Sequence, residues 1–254
     1  MIEERIRSTK RAVIPYVTAG LPDLDTTGDI LDVLAAGGAA AIEIGIPFSD
    51  PVADGPVLQR ASYLALKAGF RMCKLMERLG SWSARVSVPL VIMTYINPLM
   101  RKGLEDSLTA LRDAGVQGVI IPDLPVDAGG IFDHCSRIGL DLVRLVAPTT
   151  KRARAREILS RCSGFVYAVS VKGVTGQRTS LPEGIDAQVA SIRELTTLPV
   201  CVGFGVSRAG QVDELLGFAD GVIVGSHLMQ EVMSGTDPVE RARDAFARLM
   251  NGSR

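Results

Sequence analysis

Histidine is nearly absent, with two in 254 residues, and the four cysteines are spread out singly. Cys73, Cys135, Cys162 and Cys201 form no Cys-x-x-Cys pair, so neither a zinc site nor a disulfide framework is expected, and the pattern suits a reducing cytosol. Cys201 sits in an apolar run and reads as a small buried hydrophobe. Charge of one sign is also missing: 28 basic residues balance 28 acidic ones. No global field therefore favours nucleic acid or anionic lipid. Hydrophobic residues make up 47% of the chain, ample for a large core, yet no run nears the roughly twenty apolar residues of a membrane span. The opening Met1-Ile2-Glu3-Glu4-Arg5 is charged and has no apolar segment behind it, so no secretory signal is expected and a cytoplasmic location follows. A Walker loop and an early Gly-x-Gly-x-x-Gly turn are both lacking, and Gly203-Phe204-Gly205 alone is no dinucleotide fingerprint. Nor does a Pro/Gly/Ser-rich linker or a shift in composition divide the chain, so residues 1–254 are expected to form one domain.

What is present is a repeat of short apolar strands and amphipathic helices. Strands are expected near Val13–Thr18, Ala40–Ile46, Pro89–Tyr95, Gly118–Pro122, Leu142–Val146, Phe165–Ser170, Val200–Phe204 and Gly221–Val224. Helical patterns between them include Thr26–Ala36, Leu104–Ala114, Ala153–Cys162, Asp186–Leu195 and Ala209–Phe218. Gly37, Gly115, Gly139 and Gly164 stand where helices should end. Roughly eight βα units of about thirty residues each predict an α/β fold, a closed (β/α)₈ barrel; a doubly wound open sheet is the alternative. Met1–Lys10 reads as a short helix that in a barrel would cover the bottom. Gly69–Val86 adds material between the second and third strands, with breaks expected at Gly69 and Gly80. Lys151–Arg156 reads as a solvated helix face, and Asp237-Pro238 as the start of a final helix reaching about Met250.

One stretch carries unusual chemistry. In Ala41-Ile42-Glu43-Ile44-Gly45-Ile46, alternation sends the isoleucines to one face of a strand and Glu43 with Gly45 to the other. Both faces of a parallel sheet are normally covered, so neither suits a carboxylate. Asp50 and Asp54 follow in the loop beyond Pro47, and Pro56 is placed to open a helix. Asp54 alone reads equally well as a helix cap; Glu43 has no such ordinary explanation.

Barrel sites are built at the C-terminal ends of strands. Glycines gather there after the sixth, seventh and eighth strands, in Gly173-Val174-Thr175-Gly176, Gly203-Phe204-Gly205 and Gly225-Ser226. Backbone N–H groups reach an anion only where no Cβ intervenes, and a helix N-terminus adds favourable partial charge, so a phosphate site is expected, with Ser207 and Ser226 as N-caps.

The stretch Glu43-Ile44-Gly45-Ile46-Pro47-Phe48-Ser49-Asp50-Pro51-Val52-Ala53-Asp54-Gly55-Pro56 resembles the signature of the tryptophan synthase alpha subunit family. Pro15–Gly20, Met93–Pro98, Pro122–Pro125, Gly173–Gly176 and Val202–Val206 resemble its other strand-end motifs, in the same order. Two departures are an abbreviated N-terminal helix and His227, where a small apolar residue is expected. The resemblance implies retro-aldol cleavage of indole-3-glycerol phosphate to indole and glyceraldehyde 3-phosphate, without a cofactor. It assigns Glu43 and Asp54 to catalysis, Gly176, Gly205, Gly225 and Ser226 to the phosphate end, and Thr175 to substrate binding. Tyr16, Tyr95, Tyr167 and Phe204 would line the apolar part, although Tyr167 reads equally as core. It further implies a pyridoxal-phosphate-dependent beta subunit, in an alpha2-beta2 assembly, docked on a rim holding Asp50, Asn97, Pro98 and Asp123. A stand-alone indole-releasing lyase and a weakly catalytic phosphate-binding regulatory subunit remain open alternatives.

Overall fold

The computed structural model describes residues 1–170, 181 and 183–252. Eight strands follow one another around a closed parallel barrel: β1 (Val13–Thr18), β2 (Ile42–Gly45), β3 (Leu90–Met93), β4 (Gly118–Ile120), β5 (Asp141–Val146), β6 (Val166–Val169), β7 (Val200–Gly203) and β8 (Gly221–Val224). The last closes on the first, with Val13 beside Val222 and Pro15 beside Val224. An open doubly wound sheet is excluded by that closure. β1 and β8 match the runs that encode them, β5 begins one residue earlier, and the other five strands are one to three residues shorter.

Among the described residues the helices are α1 (Ile2–Ser8), α2 (Leu24–Ala36), α3 (Pro56–Lys67), α4 (Met72–Arg85), α5 (Ile96–Met100), α6 (Leu104–Asp113), α7 (Gly129–Ile138), α8 (Arg152–Leu159), α9 (Ile185–Arg193), α10 (Ala209–Leu216), α11 (Ser226–Met233) and α12 (Pro238–Met250). None is long and apolar enough to cross a membrane. Pro56 opens α3, and Asp237 caps α12 by accepting the Glu240 N–H at 3.0 Å. Four local expectations fail. Gly80 lies inside α4, so that helix runs unbroken. Gly164 lies four residues past the C-cap of α8, which is Ser160, whereas Gly37 is the C-cap of α2 as expected. Ser207 precedes the N-cap of α10, which is Arg208. Ser226 is the first residue of α11, whose N-cap is Gly225.

Period two divides the strands between two cores. Ile42, Ile44, Ile92, Val119 and Leu142 face outward into the layer between barrel and helices. Ile14, Ala41, Val91, Ile120, Val143, Phe165, Cys201 and Ile223 face inward. Ile2 and Ile6 of α1, 0% and 1% exposed, join this inner cluster, so α1 closes the bottom of the barrel. In the outer layer Trp82 of α4 is 3% exposed and lies over Gly28 of α2, where a Cβ would come within 2.6 Å of its indole nitrogen.

Candidate active site

With the bottom plugged and the middle filled, the remaining space opens at the C-terminal mouth. A cavity of about 920 Å³, its open mouth included, reaches down to Ile120, Leu145 and Ile223 and is walled by Tyr16, Tyr167, Phe204 and Leu58. This mixed apolar and polar lining suits a ligand with an aromatic body. Space for it is made on the strands themselves. A Cβ on Gly45 would overlap the Tyr16 hydroxyl, and one on Gly203 would overlap the Tyr167 ring. These inward glycines let Tyr16 of β1 lie against β2 and Tyr167 of β6 lie against β7.

Glu43 enters this cavity from β2, in register between Tyr16 on β1 and Val91 on β3. It is 1% exposed, and neither carboxyl oxygen has a hydrogen-bond partner among the described residues. Burial, with nearby Asp54 adding to it, pushes Glu43 up to about 8. Asp54 hangs over the same cavity from the loop after β2 and is partly exposed. Burial lifts it to about 6, opposed by a hydrogen bond from the Tyr95 hydroxyl. The capping explanation for Asp54 fails, since Gly55 is the N-cap of α3 and no side chain caps it. Tyr95 braces the loop in a second way: its hydroxyl accepts the Ala53 N–H at 2.9 Å while its ring stacks on Phe48 at 5.2 Å. Burial raises the Tyr16 and Tyr167 phenols, so both remain neutral hydroxyls.

At the other side of the mouth stand Gly205 on the β7–α10 loop and Gly225-Ser226 at the start of α11. Gln211 takes two of the neighbouring amides, its side-chain oxygen accepting Ser207 N–H at 3.0 Å and Arg208 N–H at 3.2 Å. That leaves the α11 end, with its positive dipole terminus, as the better-placed anion cradle. His227 follows but does not line the cavity; it is buried, faces Glu231 and Arg248, and is lowered by desolvation.

The structure thus gathers Glu43, Asp54, Tyr16, Tyr167, Phe204, Gly205, Gly225 and Ser226 around one cavity. Tyr95 reaches it through Asp54. Thr175 and Gly176 lie outside the described residues. On the rim, Asp50, Asn97 and Asp123 are exposed and Pro98 is partly so. Sequence reading missed the space-making roles of Gly45 and Gly203, and it missed Gln211. The first two carried a signal, small residues at inward strand positions opposite tyrosines; Gln211 carried none beyond its place in a first helical turn. Among the described residues no cluster of His, Cys, Asp and Glu has the arrangement of a metal site.

Comparison with known proteins agrees with this geometry. The family model described as tryptophan synthase alpha chain matches residues 3–252. The tryptophan synthase alpha chain of Carboxydothermus hydrogenoformans is 45% identical over 90% of this chain and 85% of its own. That of Streptomyces avermitilis is 42% identical, covering 96% and 90%. Among solved structures, tryptophan synthase from M. tuberculosis in its aminoacrylate-bound form superposes with a TM-score of 0.88 at 30% identity, covering 100% of this chain and 99% of that one. The tryptophan synthase A-subunit of Pyrococcus furiosus gives 0.87 at 35% identity, covering 94% and 97%. A barrel with two carboxylates in its mouth, matched along nearly its whole length by these proteins, belongs to the tryptophan synthase alpha chain family.

Proposed function

We propose that Glu43 and Asp54 carry out the carbon–carbon lyase reaction of this family in tryptophan biosynthesis, cleavage of indole-3-glycerol phosphate to indole and glyceraldehyde 3-phosphate. One observation supports the assignment above the others: two carboxyl groups share a cavity but are raised by burial to different extents, Glu43 fully enclosed and Asp54 partly exposed and held by Tyr95. At neutral pH Glu43, up at about 8, holds its proton, whereas Asp54, at about 6, is mostly ionised. Glu43 gives its proton to indole C3, making the ring a leaving group. The carboxylate left behind takes the proton of the C3′ hydroxyl as the C3–C3′ bond breaks and the aldehyde forms. The proton lost in the first step is regained in the second. Asp54 accepts the indole N–H and balances the positive charge that grows on the ring. Tyr16, Tyr167 and Phe204 enclose the ring, and Gly205, Gly225 and Ser226 meet the phosphate. Gly176 is assigned to that end, and Thr175 to substrate binding, by resemblance alone.

The structural neighbours are tryptophan synthases, in keeping with a beta-subunit partner. We take the docking surface to be the rim of Asp50, Asn97, Pro98 and Asp123 in an alpha2-beta2 assembly. The same rim displays Val52 at 75% and Met100 at 57% exposure, apolar side chains suited to being covered. Enclosing the exit would retain indole, a small apolar product.

Indole release from indole-3-glycerol phosphate by the purified chain, with and without a beta subunit, tests both readings. Glu43→Gln is expected to lose at least about 10²-fold in turnover, and Asp54→Asn about 10²–10³-fold, each with folding intact. A Glu43→Gln chain keeping a tenth of native turnover overturns its role. Full activity alone, unchanged by any beta subunit, favours the stand-alone lyase.

A further inference from the structure

The loops of the barrel mouth are joined by a run of hydrogen bonds that ends at Asp54. Arg144 projects outward from β5, is 7% exposed, and donates to the Leu124 carbonyl at 3.1 Å. Arg161, just beyond α8, donates to the Val126 carbonyl of the same β4–α7 loop. Next to Leu124, the Asp123 carboxylate accepts the Ile96 N–H at 2.9 Å. Ile96 follows Tyr95, whose hydroxyl holds the Ala53 N–H and the Asp54 carboxylate. Three successive mouth loops, those after β4, β3 and β2, are thus tied in series, with Arg144 of β5 at one end.

Arg144 is otherwise hard to explain. Burying a guanidinium is costly unless its charge is matched. Yet its charged neighbours are Arg161 and Arg154, both cations, and the Cys162 thiol beside it is pushed up to about 12 by burial and stays uncharged. Among the described residues no carboxylate pairs with it. Carbonyls of the rim loop are what it serves, and a cation bound to a carbonyl holds it more firmly than a neutral donor.

We infer that Arg144 and Arg161 are positioning residues for the lyase reaction, fixing the β4–α7 loop so that Asp123 and then Tyr95 hold Asp54 in place over the cavity. The inference rests on the catalytic role proposed for Asp54. A displacement of about 1 Å at a catalytic group is enough for large rate losses, so small movement of the loop reaches the chemistry.

Four variants of the full chain test this: Arg144→Met, which keeps the buried stem, Arg161→Met, Asp123→Ala on the exposed rim, and Tyr95→Phe. Each is expected to lower kcat by about tenfold with KM changed far less. The groups facing Asp54 are Glu43 on β2, the strand before its loop, Tyr16 from β1, Tyr95 after β3 and Tyr167 from β6. Of these only Tyr95 holds it in the ionised form. All four variants should therefore move the acid limb of the kcat–pH profile to higher pH. Arg144→Met combined with Tyr95→Phe should cost no more than Tyr95→Phe alone, since both break one series. Multiplied losses, or an acid limb that stays in place, reduce the arginines to structural supports. If Arg144→Met fails to fold, Arg161→Met and Asp123→Ala, each crossed with Tyr95→Phe, decide the matter by the same criteria. Asp54→Asn separates the two levels: normal turnover there overturns the catalytic assignment itself.

Discussion

Glu43 is a liability to the native state. An unfolded glutamate titrates near 4.5, while burial lifts the folded one to about 8. Below the lower value both states hold the proton and pH has no effect. Between the two values the native protein keeps a proton that the unfolded chain releases, so stability declines as pH rises, and it levels off above about 8. Glu43→Gln retains the shape of the protonated acid and removes that penalty. The variant is expected to match the native chain near pH 4 and to exceed its Tm by several degrees near pH 8, a gain on the order of a few kcal/mol. Calorimetry at the two pH values checks it; a gap that narrows with rising pH refutes it. Glu43 was legible in the sequence because alternation placed a charge where a sheet has no room for one. Tyr95 was legible only as an aromatic near the mouth. Its hold on Ala53 and Asp54 depends on two loops folding over each other, which no local pattern encodes.

Each βα unit contributes one strand of strict parity and one loop of free composition, and the two differ in how well sequence reveals them. Strand parity follows from period two, so the inward set from Ile14 to Ile223 was accessible in outline. Helix starts were less so. Ser207 and Ser226 have the right chemistry for N-caps, but Gln211 reaches back to the Ser207 and Arg208 amides and Gly225 takes the cap of α11. A side chain three or four residues into the helix thus displaced the expected serine. The β2 strand makes a sharper test. Gly45→Ala would put a methyl group on the Tyr16 hydroxyl, and Tyr16 is 4% exposed with little room to retreat except into the cavity. The variant should weaken binding of a glycerol-phosphate-bearing indole analogue by tenfold or more, about 1.4 kcal/mol, with a smaller loss for a phosphate-only ligand. Equal losses for both ligands would show that the strand, not the ring pocket, had been disturbed.

At the scale of the whole molecule the barrel has a working end and a supporting end. The bottom is closed by α1, whose abbreviated length still delivers Ile2 and Ile6 into the inner core. Ile6→Ala removes a fully enclosed side chain and should cost about 2–5 kcal/mol, lowering Tm by roughly 5–20 °C, with KM unchanged because the substrate end is opposite. A raised KM at normal Tm would contradict this division. The closed α/β barrel itself was the most legible property of all, since eight evenly spaced apolar runs with helices between them admit few other arrangements. Trp82 adds a practical consequence. It is the single tryptophan of the chain, and it is sealed between α2 and α4, away from the cavity lining. Its fluorescence therefore reports on the outer helical layer, provided that no free indole, which carries the same chromophore, is in the sample: emission stays blue while that layer is intact and reddens when α4 comes away.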